Sequence, residues 1–165
     1  MSDKFLCVLA GYDAITENEL NKIKNILDQN GFIGNQTKGL PNHITLGYFS
    51  VDREKELIDK LQAISSELNV VNISFNHIGI FGGSKVIFIS PDTNSDLINL
   101  KEKFEENINW TPHSTLLIDE PEIIQKVIPL IMDNFKPMQG TIESLHLYEF
   151  MPARHILSVS LQNNR

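Results

Sequence analysis

Two short strings hold the residues best suited to chemistry: Pro41-Asn42-His43-Ile44-Thr45-Leu46 and Pro112-His113-Ser114-Thr115-Leu116. Each contains His-x-Thr-Leu, and the copies lie seventy positions apart. In a β-strand, alternate side chains point to opposite faces. His43 and Thr45 then share one face and Ile44 and Leu46 the other, while His113 and Thr115 lie opposite Ser114 and Leu116. Each string can bury apolar side chains while holding an imidazole and a hydroxyl, about 7 Å apart, on its other side. Imidazole exchanges protons near neutral pH, so of two imidazoles one can accept a proton while the other donates one. Threonine hydroxyls can donate to non-bridging phosphate oxygens. Two such strands side by side would suit acid–base work on a phosphate ester, with His43 and His113 catalytic and Thr45 and Thr115 binding phosphate.

The elements around the strings must place them together. Residues 5–10 form an apolar run that reads as a buried strand. Thr16 with Glu19 has the spacing of a capping box, and Leu20, Ile23 and Leu27 follow at helical spacing up to Asn30-Gly31. Residues 34–39 predict a flexible loop into the first motif strand, with Lys38 able to close over a substrate. Asp52 reads as the cap of a second helix, striped by Leu57, Leu61, Ile64 and Leu68. Two β-rich runs, 70–81 and 85–90, flank the hairpin signal Gly82-Gly83-Ser84. Thr93 with Asp96 predicts the start of a third helix carrying Leu97, Leu100 and Phe104. Pro121 suits the first turn of a fourth helix, which should bend or break near Pro129. Runs 142–150 and 155–161 read as a closing hairpin.

The second half thus repeats the order of the first without its opening strand. Hairpins outnumber helical crossovers. The expectation is an α+β fold over residues 1–165: two pseudo-symmetric lobes of antiparallel sheet, with outer helices, around a central cleft.

The 165 residues are 41% hydrophobic and 21% charged, which fits a globular chain rather than a disordered or fibrous one. The formal charge of −7, from 14 basic and 21 acidic residues, argues against an extended nucleic-acid surface. A pocket for a nucleotide or an RNA end is compatible with it. Cys7 is the one cysteine, which excludes an internal disulfide and argues against a thiolate metal cluster. The N-terminal residues lack the layout of a secretory leader, and no stretch has the apolar length of a membrane span. The expectation is a cytoplasmic monomer.

The paired motifs resemble those of the two-histidine (2H) phosphoesterase superfamily, particularly its bacterial 2′-5′ RNA ligase-like members. His43–Thr45 and His113–Thr115 match both motifs, and Pro41, Leu46 and Leu116 also resemble the family pattern. The resemblance covers nearly the whole chain as an order of elements, and it implies a two-lobed fold with the motifs on central strands facing a cleft. It implies metal-independent chemistry, without a cofactor, on 2′,3′-cyclic phosphates or 2′-5′ linkages of RNA ends or nucleotides. It also implies His43 as proton donor and His113 as proton acceptor. Hydrolysis is favoured over ligation because water is abundant. The alternative is a module that binds a nucleotide or RNA end with little turnover.

Three further residues are possible substrate contacts. Phe49 shares a predicted face with His43 and Thr45 and could stack on a base. Tyr148 lies on the strand leading to the turn at Arg154, and Arg154 could steady a phosphate. Trp110 should pack beneath the second motif. His77, His146 and His155 read as structural or surface residues. A metal site of His43, His113 and Asp119 is disfavoured because the alternate motif position is Thr, a poor metal ligand.

Overall fold

The computed structural model describes residues 3–83, 85–104 and 109–164. Met1, Ser2 and Ser84, the last of them part of the expected hairpin turn, lie outside the described residues. The strands are β1 (Phe5–Tyr12), β2 (His43–Phe49), β3 (Val71–Phe81), β4 (Val86–Pro91), β5 (Ser114–Ile118), β6 (Met138–Phe150) and β7 (Arg154–Ser160). The helices are α1 (Ala14–Gln29), α2 (Glu54–Glu67), α3 (Ser95–Glu102) and α4 (Pro121–Asn134). No helix among the described residues is long and apolar enough to cross a membrane.

Every pairing of the named strands is antiparallel, in the order β2-β1-β6-β3-β4-β5, with β7 also on β6. This is the expected α+β class, with one modification. The lobes share a strand: β6 pairs with β3 over its first residues, 138–142, and with β1 over 142–150. The strand therefore begins four residues earlier than its apolar pattern predicts. One lobe is β2-β1-β6-β7 and the other is β6-β3-β4-β5. The helices cross between them as well, since α1 touches both β1 and β5 and α3 touches both β3 and β2.

Leu20, Ile23 and Leu27 of α1 and Leu57, Leu61 and Ile64 of α2 are buried, as their spacing requires. They join Leu6, Val8 and Ala10 of β1 in the main core. Burial of such side chains stabilises by ~1.5–3 kcal/mol each.

The helix starts differ in detail from expectation. Asp13, not Thr16, caps α1, its Oδ1 accepting from the Thr16 amide at 3.0 Å. Thr16 lies within the helix, where its hydroxyl accepts from the Thr141 amide of β6 at 3.1 Å. Asp52 sits in a short 3₁₀ turn (Val51–Arg53) that leads into α2 and does not cap it. Asn94 rather than Thr93 caps α3, accepting from Leu97. Asp and Asn compete well for cap positions, so neighbouring polar residues shift a boundary easily. Helix α4 runs through Pro129 unbroken. Pro129 and Gln125 are both exposed, so the carbonyl deprived of its partner faces water.

Candidate active site

The motif strands β2 and β5 are not the central strands that the resemblance implies but the two ends of the sheet path, and the fold brings them to one cleft. In both, the expected alternation holds across the motif. Ile44, Leu46, Ser114 and Leu116 are buried, while His43, Thr45 and Thr115 are partly open. His113 directly precedes β5.

Each motif ends in a β-bulge at its leucine. Thr45 pairs with Leu9 and Gly47 with Val8, leaving Leu46 as the extra residue of β2. Thr115 pairs with Phe88 and Leu117 with Ile87, leaving Leu116 as the extra residue of β5. A bulge bends the strand and resets which face later residues occupy. It therefore overturns the placement of Phe49 beside His43. Phe49 is turned into the core, with the Arg53 guanidinium 5.0 Å from its ring centre, and Tyr48 lines the cleft instead.

The imidazoles are fixed in the same way. His43 Nδ1 donates to the Pro41 carbonyl at 2.7 Å, and His113 Nδ1 donates to the Thr111 carbonyl at 2.8 Å. A carbonyl can only accept, so each bond places the proton on Nδ1 and leaves Nε2 as the lone-pair atom of the neutral ring. Both histidines and both threonines line a cleft of about 380 Å³. Trp110 ties the strands together by donating from Nε1 to the Thr45 carbonyl at 3.1 Å. It anchors the approach to the second motif on the backbone of the first.

The surroundings of the two rings differ. Burial pushes His43 down to about 4, and the charges of Lys24, His113 and His146 add to the effect against the Pro41 hydrogen bond. His113 is also lowered, by burial, with the Thr111 hydrogen bond opposing. Its ring meets Phe81 edge-on at 4.7 Å and Phe88 at 5.2 Å between centres. Phe88 lies directly over Gly79, where an added Cβ would fall 2.4 Å from the ring. Glycine at that position is what lets Phe88 reach down beside β3.

The remaining cleft wall comes from several elements. Phe5, Cys7 and Leu9 of β1, Tyr48 of β2 and Phe150 of β6 give it an apolar and aromatic side. Burial raises the Cys7 thiol to about 12, so it stands there as a neutral apolar group. Gln36, Thr37 and Leu40 contribute from the loop that precedes β2. That loop is pinned across the cleft. The Asn35 amide donates to the Ile118 carbonyl at 2.7 Å, and Gln36 Oε1 accepts from the Ile118 amide at 3.1 Å. Lys38 is exposed and outside the cleft lining.

Tyr148 and Arg154 are likewise outside that lining. Tyr148 packs its ring against His155 at 5.1 Å and Phe150 at 6.1 Å. Arg154 pairs with Glu54 at 2.8 Å and Glu149 at 3.2 Å. Asp119 caps the Glu120 amide, away from the two histidines. His77 pairs with Asp92 at 2.6 Å, and His146 and His155 share the Ser158 hydroxyl.

Lys24 of α1 is a cleft residue that motif reasoning passed over. Its signal was its place beside Ile23 and four residues after Leu20, on the edge of the buried stripe. Tyr48 was signalled by Gly47, since a glycine inside a strand often marks a bulge.

The fold is shared with solved structures. E. coli LigT complexed with phosphate superimposes with a TM-score of 0.67 at 17% identity, over 97% of this chain and 98% of that one. E. coli LigT complexed with 3′-AMP gives 0.64 at 16%, with the same coverage. TT0787 of Thermus thermophilus gives 0.65 at 14%, over 98% of this chain and all of that one. Among curated proteins no sequence match is found. A model of the 2′-5′ RNA ligase superfamily matches residues 16–151, a span that contains both histidine motifs, and the chain belongs to that superfamily of two-histidine phosphoesterases.

Proposed function

We propose that this chain is a metal-independent phosphodiesterase that opens 2′,3′-cyclic phosphates, or acts on 2′-5′ linkages, in nucleotides or at RNA ends. The observation that carries the reading is the matched pair of imidazoles. Both use Nδ1 on a carbonyl two residues earlier, and both line one cleft with the motif threonines. Ring opening needs a base for water, an acid for the departing ribose oxygen, and donors for the charge gathering on phosphorus. Water loses a proton to one Nε2 as its oxygen joins phosphorus. The bond to the 2′ or 3′ oxygen breaks, and that oxygen takes the Nε2 proton of the other imidazole, which enters the reaction as imidazolium and leaves it neutral. Thr45 and Thr115 donate to the non-bridging oxygens. The product is a ribose phosphomonoester.

The surroundings favour His43 as the base and His113 as the acid, the reverse of the roles that the resemblance implies. His43 is pushed down by a nearby cation as well as by burial, whereas no cation contributes to the lowering of His113. The LigT complexes with phosphate and 3′-AMP support a small phosphate-bearing ligand for a cleft of this fold.

The test is turnover of a 2′,3′-cyclic nucleotide panel, and of oligonucleotides ending in a cyclic phosphate, with EDTA present. Wild type should form product, and His43→Ala and His113→Ala should each lose at least ~10²-fold. Binding of nucleotides without product would replace catalysis by a binding role. Activity that vanishes with chelator would end the metal-independent reading.

A further inference from the structure

Lys24 is the one lysine, arginine or carboxylate side chain among the described residues that line the cleft. It makes no ion pair or hydrogen bond among the described residues, and it is half-buried. The carboxylate whose field it feels is Glu17, seven residues earlier on α1. Glu17 accepts a bifurcated hydrogen bond from the Asn42 amide, at 3.1 and 3.2 Å, and forms no direct ion pair with Lys24. Lys24 thus stands at the cleft wall with Asn42 and His43, without a direct ion-pair partner among the described residues; burial lowers its pKa and the Glu17 charge opposes that.

The rest of the described cleft lining carries no permanently charged side chain. Burial lowers both motif histidines, so neither is a standing cation and the acid must be protonated for the reaction, while the threonines are neutral donors. The whole chain carries −7. A phosphodiester entering this cleft is an anion leaving water, and an unpaired ion leaving water costs several kcal/mol. Attack at phosphorus then adds negative charge to the same oxygens. A neutral hydroxyl offsets less of that charge than a charge-assisted hydrogen bond, which is about twice as strong.

We propose that Lys24 is the countercharge of the reacting phosphate: its ammonium binds a non-bridging oxygen at the His43 end of the cleft. This rests on the phosphoesterase reading. One consequence ties binding to the proton transfer. The groups acting on His43 are Lys24 from α1, His113 beside β5, His146 from β6 and the Pro41 carbonyl. When a phosphate neutralises Lys24, one of the charges that lower His43 is offset, while burial, the largest cause, remains. The base gains strength only when substrate is present.

The probe is inorganic phosphate, titrated calorimetrically into wild type, Lys24→Met, Lys24→Gln and Lys24→Arg at neutral pH. The Met and Gln variants should bind phosphate at least ~10-fold more weakly, and the Arg variant should recover most of the affinity. In the ligand-free protein, the His43 ring should titrate at higher pH in both neutral variants, as read by NMR. This readout needs no turnover and would not follow from a packing role. Equal phosphate affinity in wild type and both neutral variants overturns the proposal, and leaves the phosphoesterase reading intact if His43→Ala still abolishes turnover. Loss of phosphate affinity in a protein that turns over no phosphodiester supports the countercharge and removes the catalytic reading. A wild type that neither binds phosphate nor turns over a phosphodiester overturns both.

Discussion

β2 and β5 carry the same backbone device in different company. Each presents His and Thr on one face, ties the imidazole to the carbonyl two residues back, and bulges at the following leucine. Around His43 stand Lys24 of α1 and Asn42, which directly precedes β2. Around His113 stand Phe81 and Phe88. Pseudo-symmetry thus extends to the main chain and stops at the second layer of side chains. In the proposed reaction two chemically identical groups need different surroundings to take opposite roles, and this difference would supply them.

The largest effect should come from removing the aromatic side. Phe88→Ala leaves a cavity where a nearly buried ring stood, and should cost about 3–5 kcal/mol in denaturant unfolding. It should also let His113 titrate closer to its ordinary 6.5. A stable variant with an unchanged His113 titration would remove the aromatic wall from the account.

On the polar side, His43 is lowered from 6.5 to about 4. The unfolded chain therefore binds a proton there first as pH falls. Stability should decline from pH 6.5 towards 4 by at most roughly 3 kcal/mol, and be fully present above 6.5. His43→Gln should flatten that part of the curve. The same lowering places the optimum of kcat/KM below pH 6.5, because that parameter reports the free enzyme. An identical pH–stability curve in His43→Gln would sink this assignment.

The division of labour has its own test. A good leaving group needs no acid, so on a nitrophenyl phosphodiester the variant lacking the acid should recover relative to its loss on a cyclic phosphate. His113→Ala should regain at least ~10-fold on that substrate and His43→Ala should not. The opposite pattern would restore the roles that the family resemblance implies. The smallest effect concerns the tie between the strands. Trp110→Phe deletes the bond to the Thr45 carbonyl and should cost about 0.5–1.5 kcal/mol. A loss of activity beyond that of stability would show that the tie positions Thr45.

What could be read from the chain divides along physical lines. The two motifs, their burial pattern and the helix stripes were legible, because period-two and period-3.6 patterns are local properties. Phe49 was misplaced because a bulge is a pairing property, which β2 acquires only against β1. Lys24 was missed because its importance depends on where Glu17 is engaged, through Asn42, some twenty-five residues away. Arg154 was offered as a phosphate ligand because Glu54 and Glu149, which hold it, come from α2 and β6. Caps and partners drawn from across the fold have no signature in a single segment.

The strand shared by the lobes has a consequence for how the molecule is made. β1 lies between β2 and β6, and its partner residues 142–150 follow it only after all the intervening strands and helices. The β1–β2 hairpin can close early around α1, but the other edge of β1, rich in Leu, Val and Cys, has nothing to pair with until then. An open apolar edge of that kind invites association with other chains. Assembly of the first lobe should therefore wait on completion of the second, and refolding from denaturant should be slow and concentration-sensitive for its contact pattern.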